Sequence, residues 1–166
     1  TITIESEEGV GLFFTITLPF EIAAEQPQTE QPAPAKAKDI SGLHLLLVED
    51  NALNAEIAAA LLADRGVSVE LARDGSEAVR MFREAPAGTY AGIIMDIMMP
   101  VMDGLTQPEA IRALERADAK TIPIIAMTAN AFEEDARQCL AAGMNVHLAK
   151  PLCMEELVAI LARLCA

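Results

Sequence analysis

From residue 43 to the end of the chain, short apolar runs alternate five times with segments of helical periodicity, a pattern few architectures can accommodate. Residues 43–48 are almost unbroken apolar sequence, as a strand covered on both faces must be. Residues 51–65 then take helical spacing, with Leu53, Ile57, Leu61 and Leu62 on one side and Gly66 placed to end the helix. Val67, Val69 and Leu71 alternate with polar residues, as an edge strand would. Asp74 and Glu77 have the spacing of an N-cap and its N3 partner, opening a helix through Ala78, Val79 and Phe82. Further strands are expected at 92–95, 122–127 and 146–149, with helices near 107–117, 131–142 and 154–165 between and after them. Asn130 and Glu133 repeat the cap spacing. Such alternation implies parallel strands joined by right-handed crossovers, an α/β three-layer sandwich around a five-stranded sheet.

Two segments precede this unit. In residues 1–20, a short strand at 1–4 and an alternating one at 12–18 flank a polar, turn-like stretch at 5–11, and Pro19 ends the second strand. Two strands alone are marginal in water, so this reads as a fragment of a larger sheet. Residues 21–41 shift to Ala, Gln, Glu, Lys and Pro, including Pro27, Pro32 and Pro34, and read as a flexible linker. The remaining residues, 42–166, form the main domain.

Charge and cysteine usage narrow the function. A net charge of −13 argues against nucleic acid as a partner. Cys139, Cys153 and Cys165 are odd in number without C-x-x-C spacing, which favours free thiols in a reducing compartment. No apolar run approaches the roughly 20 residues of a membrane span, and no basic-then-apolar leader opens the chain. A cytoplasmic location without direct membrane contact is expected, any membrane anchor of a parent chain lying in segments absent here.

The informative residues stand where strands end. Glu49 and Asp50 follow the first strand of the main domain, Asp96 the third, Thr128 the fourth and Lys150 the fifth. In a parallel sheet these ends share one edge, where ligands of open α/β folds bind. Any one of them alone would be an ordinary cap or surface residue; five at one edge form a site. Clustered carboxylates resist ionisation without a cation. Mg²⁺ (or Mn²⁺) suits them, since it takes carboxylate oxygens and is completed by water and phosphate. A carboxylate can attack phosphorus, while an ammonium and a hydroxyl hold the oxygens of the transferring group.

At these residues the chain resembles the response-regulator receiver family. The stretches Leu47-Val48-Glu49-Asp50-Asn51, Met95-Asp96-Ile97-Met98-Met99-Pro100-Val101-Met102-Asp103-Gly104, Thr128-Ala129-Asn130-Ala131 and Lys150-Pro151 match its motifs in order and spacing. The resemblance implies a flavodoxin-like receiver fold with strand order 2-1-3-4-5. It also implies that Asp96 is the phospho-acceptor, Asp50 a direct Mg²⁺ ligand and Glu49 a ligand through water. The Met98 backbone carbonyl would complete the metal site. Thr128 would be the switching hydroxyl, Lys150 the phosphate clamp, and Lys150-Pro151 a cis peptide. The implied function is reception of a phosphoryl group from a sensor kinase's phosphohistidine, passed on by conformational change or to a histidine phosphotransfer domain.

Three positions depart from the family pattern. His147 stands where an aromatic residue is usual, so its coupling to Thr128 is expected to be weaker or pH-sensitive near neutrality. His147→Tyr would then change the pH dependence of partner binding. Pro108 lies where the third helix should be under way; with Thr106 and Glu109 at capping-box spacing, that helix is expected to start late, near Gln107. Cys153 replaces a typical Asp before the last helix, weakening that cap.

Residues 9–19 resemble the closing strand of a histidine-kinase ATPase domain, so the chain looks like the C-terminal piece of a hybrid sensor kinase. The kinase's nucleotide-binding boxes and donor histidine are not in it, His44 and His147 both lying within the receiver, and ATP binding is not expected. DNA-directed output is not expected either, no further domain following Ala166. The exposed edge of the first segment invites a homodimer. Three rivals stand beside the receiver reading. An aspartate-nucleophile, Mg²⁺-dependent phosphatase needs an acid two residues after the nucleophile, where Met98 stands. A flavin-binding module would bring an anionic phosphate to an acidic crevice. A degenerate scaffold receiver would not need Glu49, Asp50, Asp96, Thr128 and Lys150 all in place.

Overall fold

The computed structural model describes residues 1–7, 11–18, 39–97, 99, 106–128 and 133–165. They fall into two units, Thr1–Ala35 and Lys36–Ala166. In the first, β1 (Ile2–Glu7) pairs antiparallel with β2 (Gly11–Ile16). Residues 5–7, expected in a turn, extend β1 instead. The backbone ladder accepts polar side chains on an exposed face, and Glu5 pairs with Phe13 and Glu7 with Gly11. Alternation places Ile2, Ile4, Leu12, Phe14 and Ile16 on one face, and all five are exposed.

The second unit runs β3 (His44–Val48), α1 (Ala52–Ala63), β4 (Ser68–Ala72), α2 (Gly75–Glu84), β5 (Gly92–Asp96), α3 (Thr106–Arg112), β6 (Ile124–Thr128), α4 (Glu133–Ala141), β7 (Val146–Ala149) and α5 (Met154–Leu164). Its sheet has the order β4-β3-β5-β6-β7, and every neighbouring pair is parallel. This is the expected order with the expected edge strand. Leu45, Leu46, Leu47 and Val48 are completely buried, because β3 is covered on both faces. One face, with Leu46, Val48, Ile93, Met95, Ile124 and Ala126, packs on Phe82, Ile111 and Cys139 from α2, α3 and α4. The other, with Leu45, Leu47, Ile94, Ile125, Met127 and Leu148, packs on Leu62 of α1 and Leu157 and Leu161 of α5. Ile40, assigned by composition to the linker, is buried in this second cluster.

Helix ends follow the local chemistry. Asn51 caps α1, its side chain accepting from the Leu53 and Asn54 backbone N–H groups, and Gly66 takes the left-handed conformation at φ 75° after the helix. Asp74 accepts from the Glu77 backbone N–H at 2.8 Å, as the spacing predicts, while the Glu77 side chain reaches back one residue further, to the backbone N–H of Arg73 at 2.9 Å. Cys153 caps α5 without a side-chain hydrogen bond to the helix backbone. Cys153→Asp should therefore raise stability by about 1 kcal/mol, readable as a higher urea midpoint with an unchanged slope. Asn130 lies outside the described residues.

Two further expectations change. Of the four residues in the apolar stripe of α1, only Leu62 faces the core. Leu53, Ile57 and Leu61 are 65%, 51% and 41% exposed, while Ala55, Ala58 and Leu62 are buried. Small alanines let the helix lie close on the sheet and leave the larger side chains at the surface. The third helix starts at Thr106, close to expectation, but ends at Arg112 rather than near 117. Arg112 folds back to donate to the carbonyls of Ala119, Ile122 and Gly143. Arg116 lies over the Phe82 ring, 4.0 Å from its centroid, and donates to the carbonyls of Phe82, Ala85 and Pro86. These bonds satisfy the end of α2 and the turns of residues 113–122, which a continuous helix could not do.

Candidate functional site

Parallel strands bring the C-terminal ends of β3, β5, β6 and β7 to one edge, and the polar residues after their apolar runs converge there. Glu49, Asp50 and Asp96 offer oxygens that all lie within 4.8 Å of one another. Glu49 and Asp96 are buried, at 5% and 3% exposure, while Asp50 is exposed. Lys150 donates to Glu49 Oε2 and to Asp96 Oδ2, both at 2.8 Å, and so bridges acids from two strands. Burial opposes its charge, but the hydrogen bonds to Asp96 and Glu49 outweigh burial and hold the ammonium above the ordinary lysine range. The Lys150-Pro151 peptide is cis.

Thr128, buried at the end of β6, completes the edge, and its carbonyl accepts from the Lys150 backbone N–H at 2.7 Å. His147 is half-buried on β7 opposite Ala126, so the pleat puts it on the same face as Thr128. Met98 lies outside the described residues. Glu49, Asp50, Asp96 and Lys150 are brought together, Thr128 stands at the same sheet edge, and His147 lies on the face it shares with Thr128.

Sequence reasoning missed Asn54. Its side-chain amide donates to Glu49 Oε1 at 3.1 Å, beside a longer contact at 3.4 Å from the Asn51 backbone N–H. The signal was available: with Asn51 as N-cap, Asn54 is N3, the position whose side chain reaches back across a helix start.

The donor set suits a hard divalent cation. Among the described residues the cluster offers three carboxylates, one of them open to solvent, and Mg²⁺ takes carboxylate oxygens while keeping several waters. Beside it, Glu49, Asn54, Ile57, Ala58, Leu61, Met127, Lys150, Pro151 and Leu152 line a groove of about 480 Å³. Its lining is mostly apolar and joins Ile57 and Leu61 of the exposed α1 stripe to Glu49 and Lys150 of the acidic site. Among the described residues no helix is long and apolar enough to cross a membrane.

Comparison with known proteins agrees with this geometry. Residues 45–162 match the family model of the response regulator receiver domain. The aerobic respiration control sensor protein ArcB of Escherichia coli is 35% identical over 168 residues, covering 98% of this chain. The chain spans only about a fifth of that relative's length, 20%, and 19% of the two-component system protein A of Emericella nidulans. Among solved structures, the receiver domain of sensor histidine kinase PA1611 from Pseudomonas aeruginosa, with magnesium in its active-site cleft, is 43% identical. Its TM-score is 0.67, over 75% of this chain and 98% of that one. The Saccharomyces cerevisiae receiver domain of Ssk1, crystallised with the phosphotransfer protein Ypd1, matches with TM-score 0.64 and 29% identity. That match covers 74% of this chain and 88% of the solved one.

Proposed function

The chain belongs to the response regulator receiver family, and on that premise we propose that Asp96 accepts the phosphoryl group. The observation that carries this is the meeting of Glu49, Asp50 and Asp96 in one metal-sized cluster with Lys150 bridging two of them. Mg²⁺, held by Asp50, Asp96 and the Met98 carbonyl with Glu49 behind water, would supply neutralisation of the phosphoryl oxygens. Asp96 Oδ attacks phosphorus as the P–N bond to the donor histidine breaks, and the imidazole leaves with the bonding electron pair. An ionised carboxylate needs no base for this step. Lys150 follows the new phosphoryl oxygens, since its Nζ already sits on Asp96, and Thr128 donates to another. His147, on the same face, shifts with Thr128 and carries the change to the surface. Incubation with acetyl phosphate, with and without Mg²⁺, tests the reading by intact-mass spectrometry: one Mg²⁺-dependent phosphoryl group supports it, and none removes it.

The onward partner is a histidine phosphotransfer domain, docked on the groove beside the site. An exposed apolar stripe next to a reactive carboxylate is the expected footprint of a protein that must bring its own reactive residue to Asp96. Ile57→Asp or Leu61→Asp should slow transfer from a phosphorylated histidine phosphotransfer domain by about tenfold or more. Labelling by acetyl phosphate, which requires no docking, should continue in both variants. Equal slowing of both reactions would place the defect in the site rather than the surface.

We infer further that residues 1–20 are a remnant of a kinase ATPase domain, joined by the linker to the receiver at residues 42–166 of a cytoplasmic hybrid-kinase segment. The exposed apolar face of the β1–β2 hairpin supports this, since it calls for a covering layer. The extension of the ArcB match over nearly the whole chain supports it too.

A further inference from the structure

We propose that Asn54 is a positioning residue for the metal site, holding Glu49 in place when Lys150 turns to the phosphoryl group. This rests on the receiver reading above and assigns a task to a residue outside the family motifs. Glu49 is almost fully buried, and both of its oxygens are engaged: Oε2 by Lys150 at 2.8 Å, Oε1 by the Asn54 amide at 3.1 Å. The two anchors differ in what happens next. Lys150 is shared with Asp96, the group whose charge and shape change on phosphorylation, so its hold on Glu49 cannot be constant. The Asn54 amide instead holds Glu49, which does not itself take the phosphoryl group.

Asn54 is itself fixed by the cap of α1, its backbone N–H donating to Asn51 Oδ1 at 3.2 Å. One asparagine, Asn51, thus sets the helix start, and the next turn's amide orients the acid that precedes it. Without Asn54, Oε1 keeps only the 3.4 Å contact from the Asn51 backbone, and the carboxylate is free to rotate about its last bond whenever Lys150 leaves. Groups that orient metal-site carboxylates commonly change metal affinity by about 10–100-fold when removed. Asn54 also lines the groove, so a docked partner would cover this amide and strengthen its bond to Glu49 by excluding water.

The test is Mg²⁺ titration by calorimetry on the whole chain, comparing wild type, Asn54→Leu and Asn54→Gln. Leu suits the helix and keeps the backbone bond to Asn51, while Gln keeps an amide donor at an exposed position with room for one more methylene. Asn54→Leu should bind Mg²⁺ about tenfold more weakly, and Asn54→Gln should recover most of that loss. Wild-type affinity in Asn54→Leu would overturn the proposal while leaving the receiver reading intact. Equal loss in both variants would also overturn it, by assigning the effect to packing. A wild-type chain that binds no Mg²⁺ would overturn both.

Discussion

Asp96→Asn should reduce phosphoryl incorporation from acetyl phosphate to background while leaving the fold unchanged. The amide matches the carboxylate in shape, and Asp96 is buried at the end of a fully buried strand, so the substitution disturbs little packing. What it removes is the nucleophile, because an amide oxygen or nitrogen does not attack phosphorus at neutral pH. It also takes one of three charges from the cluster, so Mg²⁺ should bind more weakly. Circular dichroism should be that of wild type, and intact mass after incubation should show no added phosphoryl group. If the variant is labelled as fast as wild type, another residue is the acceptor.

Lys150→Met should destabilise the metal-free chain strongly and the Mg²⁺-loaded chain much less. Lys150 is the cation that Glu49 and Asp96 share, and those two side chains are 3% and 4% exposed. Met keeps most of the length and packing of the lysine stem but leaves two buried carboxylates facing each other. Removing one partner of a buried ion pair typically costs about 3–5 kcal/mol, and the partial exposure of Lys150, 26%, argues for the lower end, about 3 kcal/mol. Mg²⁺ supplies the missing positive charge, so the midpoint difference between EDTA and Mg²⁺ should be larger in Lys150→Met than in wild type. Phosphorylation should be slowed in the variant even when Mg²⁺ saturates, since the phosphoryl oxygens lose their ammonium. Equal destabilisation with and without Mg²⁺ would mean that Lys150 acts by packing and not by charge.

Much of this was legible in the chain because two periods differ so sharply. Runs such as Leu45 to Val48 and Ile93 to Met95 can only be strands covered on both sides, and the polar residues that end them must then share an edge. The caps at Asp74 and Gly66 were readable because each depends on a few atoms close in sequence. What misled was side-chain size. Leu53, Ile57 and Leu61 form as good an apolar stripe as any core face, and only the close fit of Ala55 and Ala58 on the sheet reveals that α1 turns them outward. The early end of α3 was hidden for a different reason. It is set by Arg112 and Arg116 reaching carbonyls as far as 34 residues away, and no local pattern reports such bonds. Asn54 sat within a recognised cap spacing, but its target, Glu49, lies outside the helix.

The central claim is that the acids at the sheet edge form a site that phosphorylates Asp96. The most direct measurement is tandem mass spectrometry of wild-type chain labelled with acetyl phosphate and Mg²⁺, then reduced with borohydride, which converts the acyl phosphate to an alcohol and so marks the phosphorylated carboxyl. The account predicts a single marked residue, Asp96, and no mark when Mg²⁺ is withheld. A mark on Glu49, Asp50 or any residue away from this edge would contradict it.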